Sequence, residues 1–293
     1  MSASSIEWTE ETWNPVTGCT RASAGCDLCY AVTMTRRLAA MGSEKYQGLI
    51  NPGKSHFNGV VLEHLESLSQ PLQRSRSTLY FVNSMSDLFH PGVSFGFIAA
   101  VFGAMAACPQ HQFQVLTKRP GRAAQFFTWL DGASGGQPVS YVTMQAHLLN
   151  DAVPNFGLQT TWPLDNVWIG TSVEDDRVSH RIDLLRDVPA SVRFLSCEPL
   201  IGAIDIRGRL HGIHWVIVGG ESGHGARPMR YEWAQEIQDE CNTAGVAFFF
   251  KQTGRVLASE WGIPNSKGSK AEEWPAEYRK IAQRDFPREL VDA

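Results

Sequence analysis

Six short apolar runs punctuate the chain: Leu79–Val82, Phe113–Leu116, Val167–Ile169, Val192–Leu195, His214–Val218 and Val246–Phe250. Each is rich in β-branched and aromatic residues. Each is also continuous rather than alternating, the pattern of a strand buried on both faces. Between them, Ser94–Cys108, Asp176–Arg186 and Tyr231–Ala244 read as helices. Asp175 or Asp176 is placed to cap the second, and Gly245 stops the third. Alternating strands and helices predict a parallel sheet with right-handed crossovers. With a further strand near Ile6–Thr9, the expected class is α/β: a full or partial (β/α) barrel of parallel strands. An open doubly wound sheet is the alternative.

Punctuation sets the organisation. Segment 132–163 carries Gly-Ala-Ser-Gly-Gly, polar residues and three prolines, and reads as an insertion between two barrel units. After Gln252 the strand pattern stops. A barrel domain over 1–253 is therefore expected, with a C-terminal extension over 254–293 packed on its outside and carrying one helix, Ala276–Arg284. No internal repeat is evident.

Composition narrows the classes. With 43% apolar and 19% charged residues, the chain can bury a sizeable core. The formal net charge of -4 excludes a strongly basic nucleic-acid coat, though not a local basic groove. No secretory signal and no run of about 20 apolar residues is visible, so a cytoplasmic protein without a membrane partner is expected.

Three of the six cysteines fall within eleven positions, Cys19, Cys26 and Cys29, in a C-x6-C-x2-C spacing. In a reducing compartment such a cluster more often serves a metal than a disulfide framework. Cys26 and Cys29 can present two thiolates to one centre, Gly25 lets the backbone curl close, and Cys19 returns from the other side of the loop. Three thiolates suit a [4Fe–4S] cluster with one open iron, or a zinc ion that needs a fourth ligand. A distant histidine or Cys197 could complete a zinc site, but no second C-x2-C or H-x3-5-H follows. Cys108 and Cys241 sit in helical candidates and read as core.

Polar clusters follow nearly every strand candidate: Asn83, Ser84, Ser86 and Asp87; Thr117, Lys118 and Arg119; Thr171, Ser172 and Glu174; Ser196, Cys197 and Glu198; Gly219, Gly220, Glu221 and Ser222; Lys251 and Gln252. In a parallel barrel these positions converge on the C-terminal face, where active sites lie. His90 follows a strand, and the other histidines show no ligand spacing.

The ordered strings resemble a family. Trp13-Asn14-Pro15-Val16-Thr17-Gly18-Cys19, then Ser23, Gly25-Cys26 and Cys29-Tyr30-Ala31, are similar to the three-cysteine-motif proteins of phages and bacteria, described as radical-S-adenosylmethionine-like. The similarity continues through Phe81–His90, Val115–Pro120, Val167–Glu174, Phe194–Leu200, Trp215–Gly223, Ala226–Met229 and Phe248–Gln252, nearly the whole chain. It implies a [4Fe–4S] cluster and S-adenosylmethionine, with Tyr30, Glu174, Glu198, Gly219, Gly220, Glu221 and Ser222 on the cofactor side. It also implies a substrate, DNA or a nucleotide, that is modified or repaired, and an electron donor such as a ferredoxin or flavodoxin. Asp87 and the cations Lys118, Arg119, Arg227, Arg230 and Lys251 would meet the substrate, the cations as an anion-binding rim. The first cysteine gap is longer than the radical enzymes' usual C-x3-C-x2-C, so the mechanism comes from the resemblance alone. Two other classes remain open: a non-catalytic iron–sulfur sensing module with Cys197 as fourth ligand, and a zinc-dependent nucleic-acid hydrolase or deaminase. The zinc deaminase signature is absent, because Gly25 rather than proline precedes Cys26.

Overall fold

The computed structural model describes residues 2–4, 6–156, 159 and 161–287. Its strands are β1 (Ser2–Ala3), β2 (Glu11–Trp13), β3 (Val16–Thr17), β4 (Leu62–Glu63), β5 (Leu79–Val82), β6 (Gln112–Thr117), β7 (Val167–Ser172), β8 (Val192–Cys197), β9 (Trp215–Gly219) and β10 (Ala247–Gln252). The main sheet has the order β1-β2-β5-β6-β7-β8-β9-β10, and β3 and β4 form a separate ribbon. The seven strands from β2 to β10 run parallel, as the alternating pattern predicts, in an α/β fold consistent with a partial barrel. Contacts divide the chain into two compact units: Met1–Ala22, Cys29–Ile169 and Asp187–Ser191, and then Ser23–Leu28, Gly170–Arg186 and Val192–Ala293. Among the described residues, no helix is long and apolar enough to cross a membrane.

In the first unit β2, β5 and β6 align Trp13 with Val82 and Val115. All three are fully buried, as are Tyr80 and Phe113, whose rings stack at 5.5 Å. Each such side chain contributes roughly 1.5–3 kcal/mol of burial. The expected strand at Ile6–Thr9 is instead a turn, and the strand lies at Glu11–Trp13. Glu10 and Glu11 hide it in the sequence. Glu11 is buried against the guanidinium of Arg74, so its charge is matched where the pattern suggested solvent.

Four helices complete this unit: α1 (Tyr30–Ala40), α2 (Phe95–Ala106), α3 (Pro120–Ser134) and α4 (Pro138–Leu149). Ser94 caps α2, its Oγ accepting from Phe97 N at 3.2 Å. Every residue from Phe97 to Ala106 is buried, which is what an all-round apolar helix requires. Segment 132–163 is largely helical: it holds the end of α3, a turn at Gly135 and Gly136, and then α4. Its residues 157, 158 and 160 lie outside the described set. Helix α4 packs so closely on α2 that a Cβ at Gly103 would stand 2.0 Å from the Val142 carbonyl oxygen.

In the second unit β8, β9 and β10 pair in parallel and are joined by α6 (Tyr231–Ala244), with α5 (Arg181–Arg186) before β8 and α7 (Gly254–Glu260) after β10. Gly245 ends α6 in the left-handed conformation, as its position suggests. The helix expected over Asp176–Arg186 splits into a single 3-10 turn at Asp176–Val178 and α5. Asp175 caps that turn, and Arg181 is drawn inward to the Ser172 carbonyl. The tail is a 3-10 turn at Ala276–Ile281 rather than a helix to Arg284. The last residues leave the helical path to cover the edge strand: Phe250 N donates to Gln283 O, and Asp285 N to Phe248 O. Residues 288–293 of the expected extension lie outside the described set.

Most strands run one to three residues further than their apolar cores. Thr117, Thr171, Ser172, Ser196, Cys197, Gly219, Lys251 and Gln252 are strand residues, not loop residues. Ladder hydrogen bonds do not stop where apolar side chains do.

The helix contact yields a paired test. Gly103→Ala should destabilise the protein by about 1–3 kcal/mol through overpacking. Gly132→Ala, inside α3 with open space at its Cβ, should stabilise it by about 0.4–1 kcal/mol. Urea unfolding of the two variants checks both signs.

Candidate functional site

The first unit places Cys19 against the exits of β5 and β6. The Arg119 guanidinium holds this corner together. Its Nη1 donates to Asp87 Oδ2 at 2.8 Å and lies 3.9 Å from Cys19 Sγ. Its Nη2 donates to the Thr20 carbonyl at 3.1 Å and to Thr20 Oγ1 at 2.9 Å. Asp87, buried at 4% exposure, also accepts from Thr117 Oγ1 at 2.7 Å, Phe89 N at 3.0 Å and Lys118 N at 3.0 Å. Burial opposes the Arg119 cation, but the Asp87 carboxylate and the Cys19 thiol outweigh it and hold its pKa above the ordinary value. His90 Nδ1 accepts from Gly92 N, which leaves Nε2 to donate to Thr20 Oγ1 at 2.8 Å. Burial, reinforced by Arg119, lowers the His90 pKa and keeps the ring neutral. Cys29 stands at the N-cap of α1, and both Cys19 and Cys29 pack on the cluster of Ala31, Val32, Leu49, Phe57 and Met85.

The second unit holds Cys26 in a short turn over the exits of β7 and β9. Ser23 Oγ donates to Glu174 Oε1 at 2.8 Å, and Arg181 Nη1 donates to Glu174 Oε2 at 3.2 Å. Both Glu174 and Arg181 are deeply buried. Gly25 sits directly on this carboxylate: a Cβ there would meet Glu174 Cγ at 2.5 Å. The absent side chain therefore makes room for Glu174. Just beyond β9, Glu221 receives three bonds from Arg227: backbone N at 2.9 Å, Nε at 2.9 Å and Nη2 at 2.6 Å. Arg227 Nη1 reaches the Ala24 carbonyl at 2.9 Å and lies 3.7 Å from Asp27. Its hydrogen bonds to Glu221 raise the Arg227 pKa above its usual value. The residues flanking Cys26 are thus tied to the second unit at two points.

Other expected site residues divide by environment. Lys251 Nζ meets Glu198 Oε1 at 2.5 Å, so this cation is paired rather than presented on an open rim. Gly220 is where β9 and β10 close up, since a Cβ would stand 2.2 Å from the Thr253 carbonyl oxygen. Ser222 and Arg230 are exposed. Tyr30 opens α1, half exposed, with its hydroxyl donating to Ser84 O at 2.5 Å. The three cysteines of the motif are part-exposed and the other three are buried. Burial pushes Cys108 and Cys241 up to about 12 and raises Cys197 as well.

Sequence reasoning did not identify Thr20 or Arg181 as site residues, and it marked Ser23 only as part of the resemblance, without a role. Ser23 and Thr20 do lie inside the cysteine motif, the one signal that could have found them. Helix α1 was also legible in the helix-forming run after Cys29, closed by Arg36 and Arg37.

Fold and site together define an α/β protein with a parallel sheet whose strand exits carry a cysteine-bearing segment. Residues 3–285 match the family described as "Protein of unknown function (DUF5131)", and the chain belongs to that family. No curated protein and no solved structure matches it. Among the described residues, no three histidine, cysteine or acidic side chains come together as a ready metal-binding group.

The Glu174 contact can be tested directly. Glu174→Ala strands a buried arginine and should cost about 3–5 kcal/mol of stability in urea unfolding. Exposed Glu277→Ala should stay within about 0.5 kcal/mol.

Proposed function

We propose that this chain is an iron–sulfur enzyme of radical-S-adenosylmethionine-like type, acting in the cytoplasm. Cys19, Cys26 and Cys29 hold a [4Fe–4S] cluster, and S-adenosylmethionine is cleaved reductively to modify or repair a nucleic acid or nucleotide. The carrying observation is the anchoring of the cysteine segment. In each unit, its share of that segment is fastened to the C-terminal ends of parallel strands, where α/β-barrel active sites are built. The ordered resemblance along the chain supports the same reading.

The donor chemistry fits such a group. Three part-exposed thiols occupy one short segment, and a guanidinium N–H points at one of the sulfurs, an arrangement suited to a thiolate. Cys197 suits the role of fourth ligand less well, because its side chain is fully buried within β8, whereas the three cysteines of the motif are part-exposed. This favours an open coordination position over a fully ligated, purely structural cluster.

When bound, the cluster and S-adenosylmethionine supply the one-electron chemistry, with a ferredoxin or flavodoxin as electron source. The chain's own residues position and shield. Arg119 holds positive charge at Cys19, while Glu174 and Arg227 fix the turn around Cys26. Tyr30, Glu198, Gly219 and Ser222 would face the cofactor, and Lys118 the substrate side, while Lys251 holds Glu198.

Anaerobic reconstitution tests the proposal. Cys19→Ala, Cys26→Ala and Cys29→Ala should each lose most bound iron, whereas Cys108→Ala and Cys241→Ala should keep it. The wild-type resonance spectrum should change on adding S-adenosylmethionine, and 5′-deoxyadenosine should accumulate slowly. An intact, reducible cluster that neither binds nor cleaves S-adenosylmethionine would overturn the enzymatic reading. Stoichiometric zinc in place of iron would overturn the cluster itself.

A further inference from the structure

Arg119 was expected at the substrate rim, yet its guanidinium is directed inward. Three oxygens fix its plane, Asp87 Oδ2, Thr20 O and Thr20 Oγ1, and the side chain is only 14% exposed. A planar fork held at several points cannot swing its remaining N–H groups freely. Asp87 is itself fixed by Thr117 Oγ1 and two backbone amides, so the positive charge is mounted on the β5 and β6 exits rather than on a mobile stem. Nη1 then lies 3.9 Å from Cys19 Sγ.

A cationic donor beside a cysteine sulfur withdraws charge from it. Reduction adds an electron to a centre ligated by that sulfur, so the donor stabilises the reduced state more than the oxidised one. We propose that Arg119 is a positioning residue for Cys19 that raises the reduction potential of the centre Cys19 ligates, with Asp87 holding Arg119 in register. This rests on the iron–sulfur reading given above. It reassigns Asp87 and Arg119 from substrate contact to control of the electron-accepting step. A charge-assisted hydrogen bond of this kind is worth about a tenfold change in an equilibrium.

The test compares wild type, Arg119→Gln, Arg119→Lys and Arg37→Gln after anaerobic reconstitution. Arg37 is an exposed cation on α1 and reports the effect of net charge alone. Iron per chain and the midpoint potential are measured on each protein. Arg119→Gln should keep its iron while its reduction equilibrium shifts about tenfold toward the oxidised state, a potential lower by about 59 mV for one electron. Arg119→Lys should fall between, since an ammonium keeps the charge without the fork, and Arg37→Gln should match wild type. Should Arg119→Gln shed its iron, Arg119→Lys decides the matter. An iron-loaded Arg119 variant at the wild-type potential, or an equal shift in Arg37→Gln, would overturn this inference and leave the cluster assignment standing. A wild-type chain that binds no iron would overturn both.

Discussion

An ionised carboxylate taken out of water must find a cation or several donors, and this constraint organises both units. Four carboxylates stand at or just beyond strand exits, Asp87, Glu174, Glu198 and Glu221. Each meets a basic partner within its own unit: Arg119, Arg181, Lys251 and Arg227. Three of these pairs also grip the cysteine segment. Arg119 reaches Thr20, Glu174 receives Ser23, and Arg227 reaches Ala24. A pair that only neutralised charge could sit anywhere along the exits. Sharing donors with the backbone beside Cys19 and Cys26 ties charge pairing to the placement of thiols.

The sheet was legible because strands buried on both faces must be apolar throughout, and six runs met that demand. The strand at Glu11–Trp13 was not legible, because its glutamate is matched by Arg74, a residue 63 positions away. The same difficulty affects the site. Residue type and position at a strand exit marked Asp87, Glu174, Glu221 and Arg119 as special, and the resemblance marked Arg227. Whether such groups face a ligand or one another depends on contacts between distant segments. Ser23 and Glu174 are 151 residues apart, and Asp87 and Arg119 are 32 apart. The expected rim of free cations consequently becomes, at Arg119, Arg227 and Lys251, a set of internal ion pairs.

Glycines show how a motif can be right for another reason. Gly25 was read as letting the backbone curl close to a metal, and Gly220 as part of a glycine-rich segment on the cofactor side. In the structure each is crowded by the protein itself, by Glu174 in one case and by the Thr253 carbonyl in the other. A glycine reports that something approaches closely, and only the fold says what. Here the approaching group at Gly25 belongs to the residue that anchors the turn, so the glycine still serves the cysteine next to it.

Oxygen acceptors fasten the cysteine segment at Thr20, Ser23 and Ala24, and these contacts need no bound metal. In small metal-dependent domains the ion supplies the energy that orders its own ligands, and the apo chain is unfolded. Here hydrogen bonds from Ser23, Arg119 and Arg227 order the chain around Cys19 and Cys26 through oxygen acceptors. Loss of an anchoring carboxylate is then chiefly a cost in stability, because it leaves a buried cation unmatched. On the iron–sulfur reading proposed above, loss of a thiol would instead be chiefly a cost in metal affinity, because the surrounding bonds survive. Arg119 joins the two categories: it grips Thr20 through oxygen while directing one N–H at sulfur. A single side chain can therefore hold the segment in place and set the charge felt by the ligand it carries.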